Sequence, residues 1–198
     1  MIKNVVLDIS NVLVDYDPVE YLVGKGIDVP TIKRIVKASV LSPYWEAFER
    51  SDLTEEEAMK AFVSLDPEIE DALYKAYADI SGMLSMRSYA VNWVKELKSE
   101  GYNVYYLSNY SKKAYDECPE SLEFIKYTDG GLLSYAERLT KPDPKFYRRL
   151  IDRYGIIPNE SLFIDDSEEN VEVAKRLGFK GHLFKSYEEA KEFIKKEK

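Results

Sequence analysis

Apolar positions along the chain change rhythm twice. The opening run, Ile2 to Leu13, has an apolar stretch rich in Val and Ile that carries a single carboxylate, Asp8, near its end. A run of this kind suits a strand covered on both faces. A charge inside it is costly to bury unless it binds something. In open α/β sheets such residues stand at the carboxyl ends of strands, where ligands bind.

From Asp17-Pro18 onward helical spacing takes over. Asp28 caps a helix with Pro30 in its first turn, followed by Ile32, Ile35, Val36 and Val40 along one face. Ser42-Pro43 breaks it, and the segment Tyr44 to Arg50 follows. Thr54 with Glu57 is a capping-box signature, and Asp66-Pro67 opens a helix carrying Leu73, Tyr77 and Ile80 that Gly82 ends. The pattern predicts an all-helical block over residues 16–87.

After Ser88 strands and helices alternate. Helix Val91–Lys98 precedes strand Tyr102–Leu107, and a helical segment then runs to about Tyr127, with a turn at Asp129-Gly130-Gly131. A helix from Pro144 to Gly155 leads to strand Leu162–Ile164, helix Glu169–Leu177, strand His182–Phe184 and a basic terminal helix. The fold class is therefore α/β, with a Rossmann-like parallel sheet and helices on both faces formed by residues 1–15 and 88–198. The connection from the first strand to Tyr102 is far longer than a crossover needs. The helical block is thus an insertion at the sheet's carboxyl edge, placed to be a lid.

Composition narrows the partners. A net charge of −8 over 198 residues argues against nucleic acid, which asks for a basic face. The N-terminal residues lack a signal-peptide layout, and no apolar run approaches the ~20 residues of a membrane span. The expectation is a soluble, cytoplasmic protein with a small-molecule substrate and no membrane partner. The one cysteine, Cys118, sits among Asp116, Glu117 and Pro119 and is expected to be a surface thiol, so neither a disulfide nor a Cys-rich zinc site arises. The one histidine, His182, opens a late strand and is expected to be structural.

The predicted topology brings Asp8, Asp165 and Asp166 to neighbouring strand ends. Like charges about 4 Å apart repel by roughly 4 kcal/mol at an effective dielectric of 20, so the cluster does not exist for stability. A hard divalent cation resolves the conflict, and Mg²⁺ takes one or two carboxylates plus phosphate oxygens. Ser108 and Asn109 offer a hydroxyl, an amide and backbone N–H groups as a phosphate cradle. Lys141 supplies a compensating positive charge, and one carboxylate attacks. Singly, each has a plainer explanation as a helix cap or a surface residue. The order and placement of all four carry the inference.

That order resembles the haloacid dehalogenase-like hydrolase superfamily, in the branch with a helical cap inserted after the first strand. The carriers are Asp8-Ile9-Ser10-Asn11-Val12-Leu13, Tyr105-Tyr106-Leu107-Ser108-Asn109, Lys141-Pro142-Asp143-Pro144, and Phe163-Ile164-Asp165-Asp166-Ser167 with Asn170 beyond. The resemblance implies a Mg²⁺-dependent phosphatase acting on small phosphate monoesters, sugar phosphates among them, through an aspartyl-phosphate. Asp8 becomes nucleophile and metal ligand, Asp166 the direct metal ligand, and Asp165 a second acid acting through water. Ser108 and Lys141 become phosphate contacts, with Lys141 also orienting carboxylates. The block becomes the cap, with Trp45, Glu46, Phe48, Glu49 and Arg50 as its substrate-facing segment or as its own aromatic core. One departure stands out. Phosphatases of this family usually carry an Asp acid two residues after the nucleophile, and here that residue is Ser10. Serine offers the metal its backbone carbonyl, and the phosphate its polar groups, but not a proton from a carboxylic acid. Two rivals follow: a member that binds a phosphorylated ligand with little turnover, and a dehalogenase using Asp8 on a carbon–halogen bond.

Overall fold

The computed structural model describes all 198 residues. Its centre is strand β1 (Asn4–Leu7), flanked on both sides by parallel partners, β4 (Asn103–Ser108) and β6 (Ser161–Asp165). Strand β5 (Gly130–Leu133) extends the sheet beyond β4 and β7 (Lys180–Leu183) beyond β6, giving the all-parallel order β5-β4-β1-β6-β7. Successive side chains of β1 enter opposite cores: Val5 and Leu7 face one, Val6 the other. All three are completely buried, each worth about 1.5–3 kcal/mol over the exposed state. Helices α6 (Ala90–Ser99) and α11 (Tyr187–Lys196) cover the first face, and α9 (Pro144–Tyr154) and α10 (Glu168–Arg176) the second.

Five further helices follow β1: α1 (Pro18–Gly24), α2 (Val29–Ala38), α3 (Trp45–Glu49), α4 (Glu55–Leu65) and α5 (Glu70–Tyr77). Two of their caps are the predicted ones, with Asp28 accepting from the Thr31 N–H and Thr54 and Glu57 forming a complete capping box. The helix expected to open at Asp66-Pro67 instead begins with a 3-10 turn over Pro67–Ile69, and α5 ends at Tyr77, short of Ile80 and Gly82. These helices share a hydrophobic cluster of their own, around Ile32, Ile35, Phe62 and Leu73.

Three further expectations need correction. The segment 16–87 is not wholly helical, because β3 (Leu84–Met86) pairs antiparallel with β2 (Val14–Tyr16) as a two-stranded ribbon. Three-residue strands are too short for alternation to show, and this pair joins residues about seventy positions apart. Gly130-Gly131 is the start of β5 rather than a turn. A Cβ on Gly131 would lie 2.3 Å from the Tyr106 ring, and one on Gly130 2.5 Å from that of Tyr154. The glycines admit two aromatic rings onto an edge strand. Cys118 is buried, not a surface thiol: it follows α7 (Lys112–Glu117), and its Sγ lies 3.2 Å from the Ile80 carbonyl oxygen. His182 stands in β7, stacked on Phe193 at 4.5 Å.

Candidate active site

Leu7 pairs with Tyr106 on one side and Ile164 on the other, so the chain leaves β1, β4 and β6 at one level. Asp8, Ser108-Asn109 and Asp165-Asp166 emerge there together, as the sequence predicted. Asp8 is buried, its N–H bonded to the Ile164 carbonyl at 2.9 Å and its Oδ1 accepting from the Ile9 N–H at 2.7 Å. Lys141 Nζ lies 2.6 Å from Asp8 Oδ1 and 2.6 Å from Asp165 Oδ2. The other oxygen of Asp165 accepts from the Ser167 N–H (2.8 Å) and Asn170 Nδ2 (3.0 Å), so both of its oxygens are engaged. Asp166 is exposed, and its Oδ2 accepts from Asn11 Nδ2 at 2.8 Å. Asn11 has φ +58°, a left-handed conformation that Asn tolerates better than most residues.

Asn109 fixes the lysine. Its Oδ1 accepts from the Lys141 N–H at 2.7 Å and its Nδ2 donates to the Lys141 carbonyl at 3.0 Å. That side chain is spent on positioning, leaving Asn109 only its backbone N–H for a phosphate. The Ser108 hydroxyl is fully buried, with only a long 3.4 Å contact to the Asn109 carbonyl, so it remains available to a ligand. Ser10 is half-buried and faces the same space.

Burial pushes the Asp8 carboxyl up to about 7; Lys141 opposes the rise, and Asp165 and Asp166 add to it. Burial works against the Lys141 charge too, but the two carboxylates overcome it and hold its pKa above the ordinary lysine value. The three acids present oxygens within 4.8 Å of one another. Three carboxylates against one lysine leave an excess of negative charge, and an all-oxygen donor set suits a hard divalent cation. The residues present therefore fit such an ion.

The site opens into a cavity of about 280 Å³ between sheet and helices. Asp8, Ser10, Ser108 and Lys141 form its floor, while the walls are mostly apolar and aromatic: Trp45, Phe48, Tyr77, Ile80, Met83 and Leu84. Of the segment expected to face substrate, Trp45, Phe48 and Glu49 line the cavity and Glu46 and Arg50 do not. Glu46 Oε1 is held by Arg50 (2.6 Å) and by the Thr140 hydroxyl (2.7 Å), and Arg50 also binds Asp52 at 2.8 Å. Trp45 serves the helical cluster as well, packing 5.6 Å from the Phe48 ring and 6.1 Å from that of Phe62. Sequence reasoning missed Tyr16, Tyr110 and Lys113 in the lining. Only Lys113 carried a signal, its i,i+4 partner Glu117; it is buried and also bonds Glu55 of the helical block at 3.1 Å.

A buried carboxylate clamped by lysine, beside a second acid at the carboxyl end of a parallel sheet, is suited to handling a charged phosphoryl group with a divalent cation. The chain belongs to the haloacid dehalogenase-like hydrolases, whose family model matches residues 2–178. It is 29% identical over 192 residues to the D-ribitol-5-phosphate phosphatase of Bacteroides thetaiotaomicron, covering 90% of each chain. It is 24% identical over 182 residues to the sesquiterpene phosphatase astK of Aspergillus oryzae, covering 91% of this chain and 89% of that one. In fold it matches a HAD family enzyme of Bacteroides thetaiotaomicron solved with magnesium and inorganic phosphate, with a TM-score of 0.73 at 24% identity, over 94% of this chain and 96% of that one. No helix is long and apolar enough to cross a membrane.

Proposed function

We propose that this hydrolase is a Mg²⁺-dependent phosphatase of small phosphate monoesters, working through an aspartyl-phosphate on Asp8. The observation that carries the reading is Asp8 itself: buried at the cavity floor, oriented by Lys141 at 2.6 Å and flanked by an exposed second acid. Its two most complete relatives named above are phosphatases.

Asp8, Asp166 and the Ser10 carbonyl would hold the cation, with Asp165 outside that set because its oxygens are engaged by Lys141, Ser167 and Asn170. The ion, when bound, neutralises charge on the transferring phosphoryl group. Lys141 and Ser108 bind the phosphoryl oxygens from the floor, together with the Asn109 N–H. Asp8 attacks phosphorus and water later releases the phosphate from it. Residues 16–87 act as a cap over a core of 1–15 and 88–198, and their apolar wall takes the alcohol part. That wall favours esters of apolar or aromatic alcohols over the sugar phosphates that the sequence pointed to. The dehalogenase reading uses the same Asp8 but gives the exposed Asp166 no role.

The test is phosphate release from a panel of alkyl, aryl and sugar phosphates, each with Mg²⁺ or with a chelator. Release in Mg²⁺ alone, fastest on the apolar esters, is expected. Absence of release from every ester, or metal-independent halide release from haloacids, would overturn the phosphatase reading.

A further inference from the structure

A phosphatase of this design needs a proton at the ester oxygen as the alcohol leaves, and Ser10 has no carboxyl to supply one. Among the residues lining the cavity, the only carboxyl other than Asp8 belongs to Glu49. The other groups able to carry a proton are poorly placed for this work. Burial holds the Tyr16, Tyr77 and Tyr110 hydroxyls above their ordinary value, and Glu49 itself adds to the rise at Tyr16. Lys113 is locked between Glu117 and Glu55, and Lys141 between Asp8 and Asp165.

We propose that Glu49, reaching in from α3, is the general acid and general base of the reaction, in place of the acid missing at Ser10. This rests on the aspartyl-phosphate reading above. Helix α3 is pinned to the sheet domain at both ends. The Ser134 hydroxyl, at the start of helix α8 (Ser134–Glu137), donates to the Glu49 carbonyl at 2.9 Å. Thr140, next to Lys141, donates to Glu46 at 2.7 Å. Both tethers hold α3 against the sheet domain, where Glu49 lines the cavity together with Asp8 and Lys141. Burial pushes the Glu49 carboxyl up to about 7, against the pull of the Trp45 side chain and the Lys141 charge, with Glu46 adding slightly to the rise. The titratable and charged groups facing it are Lys141, Glu46 of its own helix and Tyr16 of β2. An acid of this strength exchanges a proton readily at neutral pH.

The steps balance. Asp8 forms a bond to phosphorus as the phosphorus–ester oxygen bond breaks, and the Glu49 proton passes to that oxygen, releasing a neutral alcohol and leaving Glu49 ionised. Water then attacks the phosphorus and gives a proton to Glu49. The phosphorus–Asp8 bond breaks, freeing inorganic phosphate and restoring both carboxyl groups.

The experiment compares wild type with Glu49→Gln, an isosteric change, on an alkyl phosphate and on 4-nitrophenyl phosphate, whose alcohol leaves unaided. Glu49→Gln should lose about 10²–10⁴ in kcat/KM on the alkyl ester. On the nitrophenyl ester it should keep a rapid burst of one equivalent of nitrophenolate within tenfold of wild type, then turn over slowly for want of the base. The alkaline limb of wild-type kcat/KM on the alkyl ester should lie near pH 7, since the acid must enter protonated, and Glu49→Gln should lose that limb while keeping the acid limb. Glu49→Asp, which keeps the carboxyl, should retain both the limb and part of the alkyl activity. Equal losses on the two esters in the burst phase, or an unchanged alkyl rate, would sink the assignment while leaving covalent catalysis by Asp8 intact. A wild type that gives neither burst nor phosphoprotein would remove the aspartyl-phosphate and this role together.

Discussion

The floor and the walls of the cavity are built on opposite principles. The floor is polar and closely tied: Asp8, Lys141 and Asp165 are buried, joined at 2.6 Å, and fixed by Asn109, Ser167 and Asn170. The walls are aromatic and aliphatic, carried by helices whose cluster is separate from the two cores of the sheet. A floor made of paired charges demands particular side chains at particular strand ends, because each unpaired partner would cost several kcal/mol. A wall made of rings demands only area and shape. On the proposed function, the floor handles the phosphoryl group and the wall sorts the alcohols.

The sharpest break in that division is Asp8→Asn. It leaves the fold in place but should remove turnover on every ester by on the order of 10⁴-fold or more, since no other floor residue offers a free carboxylate nucleophile. The same variant tests the electrostatics in metal-free protein. The folded pKa of Asp8, about 7, lies above its unfolded value of 3.8, so the stability this group contributes is present below 3.8 and lost as pH rises through about 7. In a chelator, Asp8→Asn should therefore match wild type in melting temperature near pH 4 and exceed it near pH 8. Residual turnover at a few per cent of wild type would refute covalent catalysis.

Next in size is the contrast between the paired acids. Asp165→Ala leaves Lys141 buried with one partner fewer and strips Asn170 of its acceptor, so thermal or denaturant unfolding should show a loss of about 3–5 kcal/mol. Asp166→Ala removes an exposed group held by one bond from Asn11, and stability without metal should hardly change. The rise in melting temperature on adding Mg²⁺, and most of the activity, should vanish with it. Loss of Mg²⁺ response in Asp165→Ala alone, at intact folding, would reverse the two roles.

The floor was legible in the sequence for the reason just given. Asp8, Ser108-Asn109, Lys141 and Asp165-Asp166 each end an apolar strand or precede a proline, and chemistry restricts what can stand there. The wall was legible only as a segment, because Trp45 and Phe48 read equally as core residues, and they are core residues too. Tyr16 and Met83 gave no sign: their place depends on the β2–β3 ribbon and its surroundings, a long-range pairing of three-residue strands. Strand β5 was hidden for a related reason, since Gly130 and Gly131 answer to the rings of Tyr154 and Tyr106 rather than to a turn.

A smaller effect is expected at the wall. Trp45→Ala should lower the ratio of kcat/KM for an aryl ester over a sugar phosphate by roughly tenfold, the scale on which apolar pockets discriminate. Using the ratio within one variant cancels any loss of folded protein, which matters because Trp45 also packs on Phe62. A ratio that stays constant would mean the wall does not sort alcohols.

The smallest effect in the wild-type background is expected at Ser10. Judged from the floor alone, this position lacks an acid, and Ser10→Asp should improve esters with poor leaving groups by up to ~10²-fold. With Glu49 supplying the proton from the wall, the gain in the wild-type background should shrink below tenfold, because a second acid adds little where one already works. In the Glu49→Gln background the same substitution should recover much more, approaching ~10² on an alkyl phosphate while changing 4-nitrophenyl phosphate little. The double-mutant cycle measured on that pair of esters decides between the two. Additive effects would mean that the two positions act independently and that the acid does not come from the wall. Strong coupling confined to the alkyl ester would mean that one proton-transfer role is met from either side, which frees the residue after Ile9 from being acidic.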